Sequence, residues 1–320
     1  MLTHMHLITK LVLPISVLVC ALSNDPPQEE NAVEKPDLEI IEGKVFKDLE
    51  GCAIQLRNRK HVCIRNCRFE NVGVAVRLHG CRHISIQDCH MKDLTIQGID
   101  IREGCTDIQI LNNHLDGFRD DVQGGHFIST EKTESPKQFR ITISNNTLLG
   151  NKKSFVRNRK NGASGDMLAL RSVSGFKLIG NQLTGGGEFG MTCLYGSENG
   201  VIAQNTIREI DGTGLLVAYQ CKNINVHGNT ILDVGHSFET DGSKNDLTHQ
   251  AGIFCRGDVE NVLITGNLIV REKSPEMRYG IQLRETKGVI KANLIRGVEK
   301  EIHIARKLQG TVDVEFDAEK

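Results

Sequence analysis

Apolar residues recur along this chain in short alternating runs, each closed by the same turn. The turn reads Ile64-Arg-Asn-Cys67-Arg-Phe69, then Ile86-Gln-Asp-Cys89-His-Met91, then Ile110-Leu-Asn-Asn113-His-Leu115. It returns around Asn146, Asn181, Asn205, Asn229, Asn267 and Asn293, each with an apolar residue three positions before and another two positions after. The separations from position 67 onward are 22, 24, 33, 35, 24, 24, 38 and 26. A base period of about 23 residues with a few insertions is the mark of a solenoid. Asn tolerates the left-handed backbone region, and its amide can bond its own turn and the next copy of itself. Stacked at strand spacing, about 4.8 Å, these residues predict a ladder along one axis, with Cys67 and Cys89 starting the column.

Each repeat divides into three short strands. The first carries a Gly-Ile-x-Ile pattern, as in Gly98-Ile-Asp-Ile101, Gly214-Leu-Leu-Val-Ala218, Gly252-Ile-Phe-Cys255 and Gly280-Ile-Gln-Leu283. The second ends at the ladder residue and the third follows it. Alternate apolar residues point inward, as a period of two requires. Three strands per repeat with no helix between them predict an all-β fold, a single-stranded right-handed parallel β-helix of about ten coils over residues 38–320. Residues 37–51 are expected to form the first coil or a cap, and residues 309–316 the last, since solenoid ends must be covered.

Bulk composition changes this picture little. The formal net charge is -1 and Trp is absent, so nothing points to nucleic acid or an anionic membrane. Lys10 precedes an apolar run at residues 11–22, and small residues before Asn24 offer a cleavage site. Residues 1–23 are therefore read as an export signal too short to span a bilayer, and residues 24–37 as a polar linker. Secretion or periplasmic delivery follows. A lipid anchor at Cys20 is the weaker alternative because bulky Val19 precedes it. No later segment could cross a membrane, and the protein is expected to be a monomer. Nine cysteines remain beyond Cys20, an odd number. Their positions follow the repeat, so buried free thiols are expected, with a Cys81–Cys105 bridge as the alternative. The long intervals expand mainly at one corner, residues 116–125, 149–165 and 233–250, with a further lengthening at 130–137. Such loops on one side of a rigid stack are where binding and chemistry usually sit.

The repeat resembles the right-handed β-helix repeat of the pectate-lyase-like superfamily over about residues 40–305. The resemblance implies fold rather than activity. Its members include polyuronate lyases, mannuronan epimerases, polygalacturonases and proteins that only bind or support, and in the enzymes substrate usually lies along the first-strand face. Asp120-Asp121 with Gly125-His126 superficially resembles the polygalacturonase Asp pair and Gly-His, but here both crowd into one loop. The other polygalacturonase elements are missing, as are the epimerase Asp-Pro-His-Asp and the pectate-lyase Arg-x-Pro-x-x-Arg. No family's catalytic set carries over.

Aligning the first strands places Arg57, His79, Arg102, Ser129 or Thr130, Arg171, Tyr195, Tyr219, Arg256, Arg284 and Arg306 in one outward column. Like charges one strand apart repel, so six arginines need partners. Neighbouring acids such as Glu103 and Glu285 would serve. So would an acidic polysaccharide, because Arg grips carboxylate or sulfate bidentately. On the second reading Arg171 neutralises a uronate carboxylate, Tyr195, Tyr219 and His236 are candidate acids or bases, and Arg102, Lys160, Arg256 and Arg284 hold the polymer. Tyr faces could also stack on sugar rings. Asp100, Asp121 and Asp166 offer oxygen ligands for Ca²⁺, or an acid pair for glycoside hydrolysis. The function expected is a polysaccharide lyase or epimerase acting on an acidic, uronate-containing polymer. The alternatives are a non-catalytic carbohydrate-binding or cell-surface scaffold protein, and a glycoside hydrolase.

Overall fold

The computed structural model describes residues 37–119, 125–133, 137–150, 165–235, 250–274, 277–304 and 312–314. Residues 1–36, read above as export signal and linker, lie outside them. So do Asp121, Lys160, His236 and Arg306. Among the described residues no helix is long and apolar enough to cross a membrane.

The chain folds as a right-handed parallel β-helix, and the 27 strands among the described residues are continuously hydrogen-bonded. Away from the two ends, each strand pairs in parallel with its equivalents one coil before and one coil after. The second strands show the stacking clearly: Ile84 faces Val62 on one side and Ile108 on the other, and Ile141 and Phe176 continue the column. Ten first strands lie in register, from residues 52–57 to Lys300–Ile304. Glu39–Glu42 opens the stack by pairing with Lys60–Arg65, and Val312–Val314 closes it on residues 288–290. Glu39–Glu42 and Val312–Val314 thus lie in the stack; the rest of residues 309–316 is outside the described residues.

The asparagine ladder is present throughout. From Asn113 to Asn267, each side-chain amide donates to the side-chain carbonyl of the next ladder Asn at 2.9–3.0 Å, ending at Asn293. The same carbonyl accepts the backbone N–H of the preceding ladder residue at 2.9–3.0 Å, beginning with Cys89. The second amide hydrogen goes to a backbone carbonyl on the preceding coil, Ile86 for Asn113 and Leu178 for Asn205. The left-handed residue of each turn is one position earlier than expected. Asn66, Asp88, Asn112, Asn145, Gly180, Gln204, Gly228, Gly266 and Ala292 take φ between 53° and 68°. That residue bends the chain, which frees the ladder Asn to aim its amide along the axis.

The interior is one continuous apolar core from Ile54 to Ile295. Glycines open many first strands because the core is tight at that corner. A Cβ on Gly214 would stand 2.8 Å from Ile231 Cγ2 and 2.9 Å from the Gly252 carbonyl oxygen. All nine described cysteines are free, so the Cys81–Cys105 bridge is not formed. Instead the Cys81 N–H donates to Cys105 Sγ at 3.2 Å. Burial pushes the Cys89 thiol up to about 12, which leaves it inert at neutral pH.

Replacing Asn205 by Ala takes a partner from the Asn181 backbone N–H, from one hydrogen of the Asn181 amide and from the Leu178 carbonyl in the buried core. Each unsatisfied group costs about 1–3 kcal/mol. Denaturant unfolding of Asn205→Ala should therefore show a loss of about 3 kcal/mol or more. A loss no larger than that of a surface Asn→Ala variant would contradict the ladder's role.

Candidate functional site

The outer face of the first-strand sheet changes character half-way along the stack. In its early coils it is polar. Asp100, on Gln97–Arg102, is 2 % exposed and lies opposite Arg77 on the preceding coil. Its Oδ2 accepts from Arg77 Nε and from Arg102 Nε, each at 2.8 Å. One carboxylate thus holds two guanidinium groups, and these charge-assisted bonds answer the repulsion expected of an arginine column. Arg102 finds its acid in Asp100, two residues back, rather than in Glu103, which faces His79 at 3.0 Å. Beside Asp100, Gln97 Nε2 donates to Ser129 Oγ at 3.1 Å.

Two coils beyond Asp100, Arg171 closes a second cluster. Its Nη2 lies 3.1 Å from His126 Nε2 and 3.6 Å from Asp166 Oδ2. Arg has only donors, so His126 Nε2 accepts and Nδ1 carries the proton, which it gives to the Asp166 carbonyl oxygen at 3.0 Å. Thr192 Oγ1 donates to Asp166 Oδ2 at 3.1 Å. Removal from water, and then the Arg171 charge, press His126 down from its ordinary value to about 3. The ring is largely buried and is held neutral and oriented. The backbone under Arg171 is fixed too: buried Thr130 exchanges hydrogen bonds with the Arg171 N–H and carbonyl at 2.6 and 2.8 Å. Thr130 therefore points inward, and its partner Ile101 makes Glu131 the position equivalent to Arg102.

From the sixth coil the outer face turns apolar, and here the expected column fails. Arg171 is in register with Leu194, Leu194 with Ala218, and Ala218 with Arg256. The tyrosines stand one residue beyond that column. Leu194 and Ala218, read from sequence as inward, point outward and are buried in a cluster with Phe189, Leu216, Ala251, Phe254 and Tyr279. These strands are apolar on both faces, so the last apolar residue is not the last inward one. A single-residue slip exchanges the faces of a strand. The signal was present in the uninterrupted apolar run Leu215-Leu-Val-Ala218, which is typical of a doubly buried strand.

Tyr195 and Tyr219 occupy the corner after the first strand, at φ 55° and 61°. They line a groove of about 840 Å³ with Lys132, Lys137, Glu198, Lys222 and Glu260. Their rings stack on one another at 5.1 Å and 9°. Lys132 Nζ sits 4.5 Å over Tyr195, and the Arg256 guanidinium 5.2 Å over Tyr219, whose hydroxyl also accepts from Arg256 Nη2 at 2.7 Å. The outer faces offered to sugar rings are thus occupied by cations, and the groove meets ring edges. Arg284 is exposed and pairs in register with Arg256.

The structure thus brings together Arg171 with Asp166, Arg102 with Asp100, and Tyr195 with Tyr219 and Arg256. His126 is the addition that sequence reading noticed only in a discarded motif. Asp100 and Asp166 meet guanidinium groups where a Ca²⁺ ion would need their charge, so the two do not fit a calcium site, and the third carboxylate named with them, Asp121, is outside the described residues.

A family model described as "Right handed beta helix region" matches residues 37–164 and 140–295, and the chain belongs to that family. No curated protein matches the sequence. Among solved structures, the bacteriophage phi29 gene product 12 N-terminal fragment is similar at TM-score 0.58 and 14% identity, over 83% of this chain and 45% of that one. DFA-IIIase from Arthrobacter chlorophenolicus A6 is similar at TM-score 0.55 and 14% identity, over 74% and 59%. An alginate lyase from Paenibacillus sp. str. FPU-7 is similar at TM-score 0.50 and 10% identity, over 84% and 78%. At these identities the likeness is one of fold.

The depressed proton affinity of His126 has a measurable consequence. The unfolded ring takes a proton below about pH 6.5, and the folded ring only near the depressed value, about 3. The folded state therefore loses stability as pH falls through that window, by at most about 1.4 kcal/mol per pH unit. Unfolding of wild type and His126→Gln followed from pH 7 to pH 4 should show a shallower acid loss in the variant. Parallel curves would refute an imidazole held neutral by the fold.

Proposed function

We propose that this protein is an exported, carbohydrate-active β-helix that acts as a lyase or epimerase on an acidic, uronate-containing polysaccharide, with its chemistry at Arg171 and His126. The observation that carries this reading is the 3.1 Å contact between the Arg171 guanidinium and the unprotonated His126 Nε2 on the outer face of the first-strand sheet. A uronate carboxylate entering there gives Arg171 a better partner than a neutral imidazole. Pairing with Arg171 draws charge from the carboxylate and makes the adjacent C5 hydrogen more acidic. The same exchange releases the His126 lone pair, and an anion in place of a cation beside the ring raises its proton affinity. His126 Nε2 then takes the C5 proton while the Asp166 carbonyl holds Nδ1–H. In elimination the electron pair forms the C4–C5 double bond and the C4–O bond breaks. In epimerisation a proton returns to the opposite face. Tyr195, one residue beyond the register partner of Arg171, is the candidate proton donor.

Support for a carbohydrate substrate comes from likeness to solved structures named as an alginate lyase and a DFA-IIIase, and support for export from the signal-like residues 1–23. One observation favours the second reading, a non-catalytic carbohydrate-binding or scaffold protein: Arg77, Arg102 and Arg171 already lie beside Asp100 and Asp166. A glycoside hydrolase is served less well, since both aspartates face guanidinium groups rather than open space.

Incubation with alginate and pectate should yield unsaturated uronate, read by its ultraviolet absorbance, or exchange at C5, read by proton NMR in heavy water. Arg171→Ala and His126→Gln should each lower turnover by about 100-fold or more. Binding without turnover would transfer the protein to the scaffold reading, and failure to bind any uronate polymer would sink both.

A further inference from the structure

On a different face of the solenoid, three side chains with good metal-ligating chemistry converge. His90 lies on His90–Leu94 and His114 on His114–Phe118, and the two are direct register partners on adjacent coils. Their ring centroids are 5.0 Å apart and tilted by 53°. Asp116 follows His114 by two residues, so the strand period puts both on the same outward side. One ligand atom from each of the three lies within 4.8 Å of the other two, and all three side chains are partly buried. Among the described residues no other group of three His, Cys, Asp or Glu side chains meets that condition.

We propose that His90, His114 and Asp116 bind one divalent transition-metal ion of the zinc class. Two imidazoles and one carboxylate suit Zn²⁺, Co²⁺ or Ni²⁺ and are a poor set for Ca²⁺ or Mg²⁺, which prefer oxygen alone. Bonds of about 2.1 Å bring tetrahedral ligand atoms to roughly 3.4 Å from one another. The three side chains must therefore draw in by about an ångström, within the rotamer freedom of half-exposed groups. Arg68 flanks His90 and Lys92 flanks Asp116 in register. Lys92 Nζ lies 3.8 Å from Asp93, which partly screens its charge from the site. Three protein ligands leave a coordination position for water. Because His90 belongs to one coil and His114 with Asp116 to the next, a bound ion links two coils, and binding to the folded state alone raises stability. The site is on the third-strand face and does not depend on the chemistry proposed at Arg171.

The test uses the untagged full-length chain freed of metal by a chelator. Titration with Co²⁺ should give visible d–d absorption saturating at one equivalent, and calorimetric titration with Zn²⁺ the same stoichiometry with a rise in unfolding temperature. His114→Ala and Asp116→Asn should each weaken binding at least ten-fold, with circular dichroism showing that the variants stay folded. His83→Ala removes the other surface histidine stack, with His61, and should leave binding unchanged. Absence of one-equivalent binding, a thiolate-to-cobalt charge-transfer band, or binding lost in His83→Ala and kept in His114→Ala would each overturn the proposal.

Discussion

The asparagine ladder is the constraint on which the rest of the molecule depends. A buried amide has two donors and one strong acceptor, and here each is used. The oxygen takes two N–H groups from the ladder residue on the preceding coil, while the nitrogen serves one ladder carbonyl and one backbone carbonyl. A coil shifted by one residue would leave all of these unpaired in a dry interior, at a cost that apolar packing would not recover. The ladder therefore sets register as well as spacing. Once it is set, the residues that share a face of the first-strand sheet follow, and so do those that share the third. Cys67 and Cys89 can begin the column because the ladder's acceptor lies on the following coil: Cys89 needs only its backbone N–H to join Asn113.

Given that register, the outer face of the first-strand sheet divides by what its strands carry. In the early coils charged and polar residues occupy the outward positions, and their fate is decided by who lies opposite. Asp100 satisfies two arginines, and Arg171 divides its donors between an imidazole and a carboxylate. In the later coils Leu194, Leu216, Ala218 and Phe254 make the same face apolar and buried. The arginine column is thus interrupted. Arg102 and Arg171 belong to a polar surface, and Arg256 instead pairs with the tyrosine corner.

The Arg171–His126 contact is unusual in that neither partner is at its best alone. A guanidinium facing a neutral imidazole makes a weaker bond than it would with a carboxylate, and an imidazole beside a fixed cation is a poor base. A carboxylate ligand would improve both at once, which gives the pair a built-in preference for anionic substrates. The Tyr195–Tyr219 stack is the opposite case. With Lys132 and Arg256 over its outer faces it is complete in itself, and it offers hydroxyls and edges to the adjoining groove.

Much of this was legible in the chain. Nine turns with Asn or Cys at one position determined a parallel β-helix, the ladder and its members, because a buried amide tolerates few substitutes and local spacing reports it directly. The glycines before the first strands were legible too, and the structure supplies their reason in the Ile and carbonyl atoms that a Cβ would strike. Other features were decided by tertiary structure. Whether Leu194 and Ala218 face inward or outward cannot be read from a run that is apolar at both parities, and only pairing with the neighbouring coils settles it. That Asp100, rather than Glu103, neutralises Arg102, and that His126 meets Arg171 across 45 residues, depends on which coils adjoin and how long the insertions between them are. Sequence by itself determined the repeat because repetition is local. The juxtapositions that make a site lie between coils, and only the stacked solenoid brings them within hydrogen-bonding reach.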